Sequence, residues 1–471
     1  MGLTYFLGIV LAALSVRRKA PLVRAPGAGA AAPAPAWALP AFVALTLLLV
    51  ATSGVQLRIL DDAAATQTMP GWQRALPLSV LTGNGLSGVR NGARLGGLVE
   101  TLAVLQTFGL ACLWATLRRF SKPTPALACI ALAGACALAW EALRARLAGP
   151  DIYAYLGFAL EPHPYRPGLM PPSGADAVIG AIWGVPLPPS PYGPVWTAFS
   201  HALVAGGGSL GAQLALFRGV GLAAMALALV ALVCAKRPLA AALFGLDPTL
   251  WQIYVAEAHN DIAGIALLLV ALACRRRALA VAVACVALAG AIKLPLLGIG
   301  LVVLATAPTL RGRLVPCAAA ALGGIALTLG LGGRDYVWAL RRTAEIYPRA
   351  VPPGEWAVHA VLAAIAVAAV AAAVLARRFA WGAPWAFVAC GPYTAWQYLG
   401  WGIPYALLDD TRGLLYLAAF PLTAFESTLI FNGAPLFDAL RAVVLLVLVT
   451  LLAITFLRPA SRAGRPSFGP A

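Results

Sequence analysis

The sequence predicts an all-α polytopic membrane protein of about 11–14 transmembrane helices with an ordered loop cap on its outer face. Three observations predict it. Of the 471 residues, 61% fall in the hydrophobic class and only 11% are charged, with a mean hydropathy of +0.85, whereas soluble domains carry roughly 25% charged residues. Apolar runs near or above the roughly 20 residues needed to cross a bilayer recur along the whole chain. The period-two alternation of a membrane β-barrel is absent, which leaves helices as the spanning elements.

The charge pattern sets the expected sidedness. The net charge of +17 comes from 34 Lys and Arg against 17 Asp and Glu. Its cations cluster at the ends of apolar runs: Arg17, Arg18 and Lys19; Arg118, Arg119 and Lys122; Lys236 and Arg237; Arg275, Arg276 and Arg277; Arg311 and Arg313; Arg377 and Arg378; Arg458, Arg462 and Arg465. That recurrence is the positive-inside signature of cytoplasmic loops and argues against a nucleic-acid surface. The eight cysteines lie within or beside apolar runs without a CxxC pair, so they read as small core residues.

With the basic clusters inside, each segment takes a place. Residues 1–35 form an N-terminal anchor, with its N-terminus outside, and a cytoplasmic linker; the first run lacks a basic n-region and ends in cations, the reverse of a signal peptide. Residues 36–457 form one multi-span domain with outer loops at 55–95, 142–208 and 332–356, and residues 458–471 a cytoplasmic tail. Runs at 36–54, 96–117, 124–140 and 209–234 cross in turn. Residues 238–256 return outward through a break at Asp247-Pro248, where the aspartate can cap a helix opened by the proline. Runs at 262–274, 278–292, 294–310, 314–331, 357–376 and 437–457 complete the spans. The sidedness of 380–436 stays open.

Polar islands then fall on one face. The stretch "DIYAYLGFALEPHPYRPG" (151–168) places Asp151, Tyr153, His163, Tyr165 and Arg166 together in an otherwise apolar chain: a base, rings for sugar stacking and cations within one loop. Asp151 could alternatively cap the helix that follows Gly149-Pro150. "SPYGPVW" (190–196) is a stiff turn around Tyr192, equally readable as a loop entering the headgroup region. His259, Asn260 and Asp261 end an apolar helix and cannot all face lipid. They have neither HxxxH nor DxD spacing, so no metal and no cofactor is expected. Lys293 either snorkels to the interface or meets an anionic phosphate from the same face.

In this order the D-x-Y-x-Y of Asp151 to Tyr155, the Pro164-Tyr165-Arg166 group, the SPYGP of 190–194, the HND of 259–261, Lys293 with Pro295, and Gln397 to Pro404 resemble the polyprenyl-phosphate-mannose-dependent α-1,6-mannosyltransferases of bacterial cell envelopes, members of the GT-C superfamily. The sequence departs from that pattern at ALEPHPY (159–165) and at AEA (256–258). The resemblance implies a GT-C-like fold in the bacterial inner membrane and an active site facing outside. It also implies a polyprenyl-phosphate-linked sugar donor, a glycan or lipid acceptor, and inversion at the anomeric carbon. Asp151 would be the catalytic base; Tyr153, His163, Tyr165, Arg166, Tyr192, His259, Asn260, Asp261 and Lys293 would bind substrate. Membrane lipids are the remaining partners, with no nucleic acid. A transporter or flippase of a lipid-linked saccharide is the alternative, since it also needs many spans and buried ions.

Overall fold

The computed structural model describes residues 34–66, 92–120, 123–145, 150–166, 188–346 and 396–406, with parts of 364–375 and 417–424. The N-terminal anchor, the C-terminal tail and the run 437–457 lie outside the described residues. Every regular element among the described residues is helical, in keeping with an all-α polytopic membrane protein.

Of the first three helices, α1 (Ala38–Thr66) packs against both α2 (Gly92–Leu117) and α3 (Pro125–Arg144). The Thr124 hydroxyl caps α3, accepting from the Leu127 amide at 3.3 Å, and Pro125 opens the helix where a missing N–H costs nothing. Next come two short helices, α4 (Pro150–Leu160) and α5 (Pro194–Val204), followed by the long α6 (Leu210–Cys234). The stretch read as a loop cap therefore holds two helices packed on each other. Helix α4 is buried all round, from Ile152 to Ala159, and with Tyr192, Trp196 and Phe217 it makes a second, aromatic core; a helix apolar on every face has to be enclosed on every face.

The break expected at Asp247-Pro248 is present. Helix α7 (Pro238–Gly245) stops, and α8 (Pro248–Trp251) starts beneath the Asp247 carboxylate, which accepts from the Thr249 amide at 2.9 Å. At this break the pair bends by 62°, and the chain then winds into a π-helix at Gln252–Ala256. Helices α9 (Asp261–Cys274), α10 (Leu279–Ile292) and α11 (Leu294–Leu304) follow. Then comes α12 (Leu310–Ile346), kinked at Gly333, where φ is +58°. A 3₁₀ turn at Trp396–Gly402 leads into α13 (Ile403–Ala406).

Among the described residues five helices are long and apolar enough to cross a membrane, or six if the bent pair is one span. The runs 262–274, 278–292 and 294–310 become helices of 14, 14 and 11 residues, with Asp261 at the start of the first and Lys293 between the second and third. At 1.5 Å per residue, α9 and α10 are each about 21 Å long, short of the roughly 30 Å hydrocarbon core. Helix α9 begins in the HND cluster and ends at Arg275, and α10 runs back from Leu279 to Lys293, so the cations and the polar islands occupy opposite ends of this hairpin.

Candidate functional site

The π-helix is what builds the site. An i→i+5 pitch, with the Glu257 amide donating to the Gln252 carbonyl at 2.9 Å, shifts the chain off the α-helical register. Ala258 then takes a left-handed conformation, φ +55°, unusual for a residue with a Cβ. Together these turn Glu257 and His259 toward each other: the carboxylate Oε2 lies 3.4 Å from His259 Nε2. The other ring nitrogen, Nδ1, is 3.2 Å from Asp151 Oδ2. Asp151 sits inside the first turn of α4, not before it, and its carboxylate meets His259 and the Tyr192 side chain. A capping role is not what the geometry displays.

This turn and the start of α4 lie outside the membrane-crossing helices. Burial disfavours the charged form of His259, but hydrogen bonds and charges from Asp151 and Glu257 outweigh it and push its pKa up to about 9. Burial likewise disfavours the Asp151 carboxylate, but the hydrogen bond and charge of His259, with the charge of Lys293, hold its pKa below the ordinary aspartate value. Asp151 is thus an ionised carboxylate, 13% exposed at its side chain, on a buried imidazolium.

A second constellation adjoins it. Asp261 Oδ1 accepts from Lys293 Nζ at 2.8 Å and from Trp401 Nε1 at 2.6 Å. The Lys293 ammonium lies 4.4 Å from the Tyr398 ring centre and 5.5 Å from that of Trp401, rings that stack at 4.3 Å. Lys293 therefore does not snorkel: it occupies the one-residue break between α10 and α11, buried, paired and facing aromatics. The Asn260 amide donates from its backbone to the Tyr155 hydroxyl at 3.0 Å. Both polar atoms of the Asn260 side chain, and Asp261 Oδ2, are buried without a hydrogen-bond partner among the described residues. Orphaned buried polar atoms at this density call for a polar ligand.

Gly193 brings the two constellations together. Its amide donates to the Ile292 carbonyl at 2.9 Å, and a Cβ there would collide with the Ala291 carbonyl. Only glycine lets the SPYGP turn lie against the residue before Lys293. Tyr192 is then pressed edge-on against Tyr155, ring centres 4.7 Å apart, an arrangement worth about 0.5–1.5 kcal/mol beyond area burial.

The structure therefore gathers Asp151, Tyr155, Tyr192, His259, Asn260, Asp261 and Lys293. Tyr153 is buried in the same aromatic core. Tyr165 stands one step back, its hydroxyl donating to the Tyr192 carbonyl at 3.3 Å and meeting Thr197 Oγ1 at 3.0 Å. His163 is exposed. Arg166 points away to an exposed ion pair with Asp335 at 2.7 Å, over the Trp338 ring; the Gly333 kink aims Asp335 at it. The sequence reading did not assign Glu257, Gln252, Gln56 or Gln106 to the site. A lone glutamine inside an apolar run was the available signal. Among the described residues no group of three or more His, Cys, Asp or Glu is arranged to hold a metal ion.

A multi-pass helical protein with an ionised carboxylate, a buried cation and stacked aromatics converging at one end of its helices has the makings of a membrane glycosyltransferase. Residues 63–310 match the family model described as Alpha-(1->6)-mannopyranosyltransferase, N-terminal domain, and the chain belongs to that family of mannosyltransferases. The match takes in both constellations except Tyr398 and Trp401. No curated protein and no solved structure matches the chain.

Proposed function

We propose that the protein transfers mannose from a polyprenyl-phosphate donor to a glycan or lipid acceptor of the cell envelope. Transfer takes place on the extracytoplasmic face of a bacterial cytoplasmic membrane. The observation that carries this reading is the pairing of an ionised Asp151 with a buried, paired Lys293 in one polar cluster. The acceptor hydroxyl attacks the anomeric carbon from the side opposite the phosphate, so the new C–O bond forms as the bond to the phosphate oxygen breaks. Asp151 takes the hydroxyl proton, a contribution typically of 10² to 10⁴ in rate. The bond electrons leave with the polyprenyl phosphate, whose charge needs cations and no proton; Lys293, with His259 behind Asp151, supplies them. Tyr398 and Trp401 offer faces for the sugar, and the Asn260 side chain a donor and an acceptor for its hydroxyls.

The short helices support a lipid-borne donor. If Arg275–Arg277 sit at the cytoplasmic interface, a 14-residue α9 carries the site only about 21 Å across, below the far interface. A phosphate anchored in lipid reaches that depth from the side. The test is transfer by purified protein in liposomes given radiolabelled polyprenyl-phosphate mannose or GDP-mannose, with an α-1,6-mannan oligosaccharide as acceptor. Label should pass from the polyprenyl donor alone and form an α-linkage. Direct use of GDP-mannose would overturn the reading.

A further inference from the structure

Behind His259 runs a chain of buried carboxamides that the transfer chemistry does not use. Gln106 Nε2, on α2, donates to Gln56 Oε1, on α1, at 2.7 Å. Gln56 Nε2 donates to Gln252 Oε1, in the π-helix, at 2.9 Å. Gln252 Nε2 donates to Glu257 Oε1 at 3.1 Å, and Glu257 reaches His259 and then Asp151. Each of these glutamines is at most 4% exposed and Glu257 is fully buried.

The polarity of the chain follows from its end. An ionised carboxylate only accepts, so Gln252 must turn its NH₂ to Glu257 and its oxygen to Gln56. Gln56 must in turn present its own NH₂ to Gln252, and Gln106 likewise to Gln56. The remainder falls at the far terminus: the Gln106 carbonyl oxygen is buried without a hydrogen-bond partner among the described residues, a loss of about 1–3 kcal/mol. This order leaves a donor, not an acceptor, facing the Glu257 carboxylate.

We propose that Gln252, backed by Gln56 and Gln106, is a positioning residue of the transfer site: the aligned carboxamides keep Glu257 ionised and facing His259, and so keep His259 a cation against Asp151. The role in transfer rests on the function proposed above; the effect on His259 does not. Burial raises the Glu257 pKa above the ordinary glutamate value, and the nearby His259 and the hydrogen bond from Gln252 hold that rise in check. Without the Gln252 donor, Glu257 takes up a proton, and His259 loses one of its two counter-charges. The other ionisable groups facing this cluster are Lys293 and Tyr192 beside Asp151, Arg218 and Asp61 on the side of Glu257, and Tyr155 and Asp261 in front.

The experiment titrates His259 directly. The chain has four histidines, so full-length protein labelled at histidine Cε1 and held in nanodiscs gives few signals, and His259 is identified by the one lost in His259→Gln. Its midpoint should lie near 9 in the wild type. In Gln252→Leu it should fall by about 1 unit or more, a tenfold change in proton affinity. Glu257→Gln should lower it at least as far, and adding Gln252→Leu to Glu257→Gln should lower it no further. Gln106→Leu, remote from the site, should give a smaller shift in the same direction, and it carries the test if Gln252→Leu does not fold. A midpoint unmoved in Gln252→Leu, or in Gln106→Leu where that variant stands in, overturns the proposal and leaves the glutamines as packing. Because no donor is present, failure of the mannosyl-transfer reading leaves this result standing. The alkaline limb of the transfer rate then decides the role in catalysis, moving with the midpoint if the carboxamides act through His259 and staying put if they do not.

Discussion

Raising the pH should unlock the protein at a single residue. His259 is 3% exposed at its side chain and stands between Asp151 and Glu257. Its pKa of about 9 in the folded protein exceeds the ordinary histidine value of 6.5. Because the folded value is the higher, the stabilisation is fully present below 6.5 and is lost as pH rises through about 9. At 1.36 kcal/mol per unit, the shift amounts to about 3 kcal/mol. The assay is thermal unfolding of the purified protein between pH 6 and 10, beside His259→Gln. Taking the difference in melting temperature between the two cancels groups that titrate alike in both. The wild type should be the more stable by a few degrees at pH 6, and the difference should shrink toward zero by pH 10. A difference constant over that range would refute the charged triad.

The buried pair at Lys293 gives a matching prediction: Lys293→Met should lower stability by about 3–5 kcal/mol by stranding Asp261, while adding Asp261→Asn should restore the melting temperature but not transfer. Gly193→Ala should push the SPYGP turn off the Ala291–Ile292 backbone and reduce transfer by about tenfold or more, since misplacement of this order costs up to 10², with a melting temperature lowered as by overpacking of about 1–3 kcal/mol. At Ala258, φ +55°, substitution by glycine should leave stability within about 1 kcal/mol and transfer unchanged, whereas Ala258→Val should destabilise measurably.

Much of this was legible before any coordinates. Asp247-Pro248 announced its own helix break because capping and a missing N–H are local chemistry. The islands at 151, 192, 259–261 and 293 stood out because polar groups in an apolar chain need one another. What stayed hidden depended on which helices are neighbours. The Gln56–Gln252 bond spans 196 positions, and nothing local to either residue names the other. Proximity in sequence misled in the opposite way at Arg166, fifteen positions from Asp151 yet turned toward Asp335 by a kink at Gly333. Lys293 itself was open between snorkelling and a buried role, and its ion pair with Asp261, together with the aromatic pair Tyr398 and Trp401 more than a hundred positions on, decides between them.

Asp151→Asn tests the central claim most directly. Asparagine keeps the size of the side chain and much of its hydrogen bonding toward His259 and Tyr192, and it is as good a helix cap as aspartate; what it removes is the proton acceptor. With purified variant, polyprenyl-phosphate mannose and an α-1,6-mannan acceptor, kcat should fall by at least about 10²-fold with donor binding retained. An Asp151→Asn enzyme that transfers mannose at the wild-type rate would contradict the account, and the search for the base would move to Asp261.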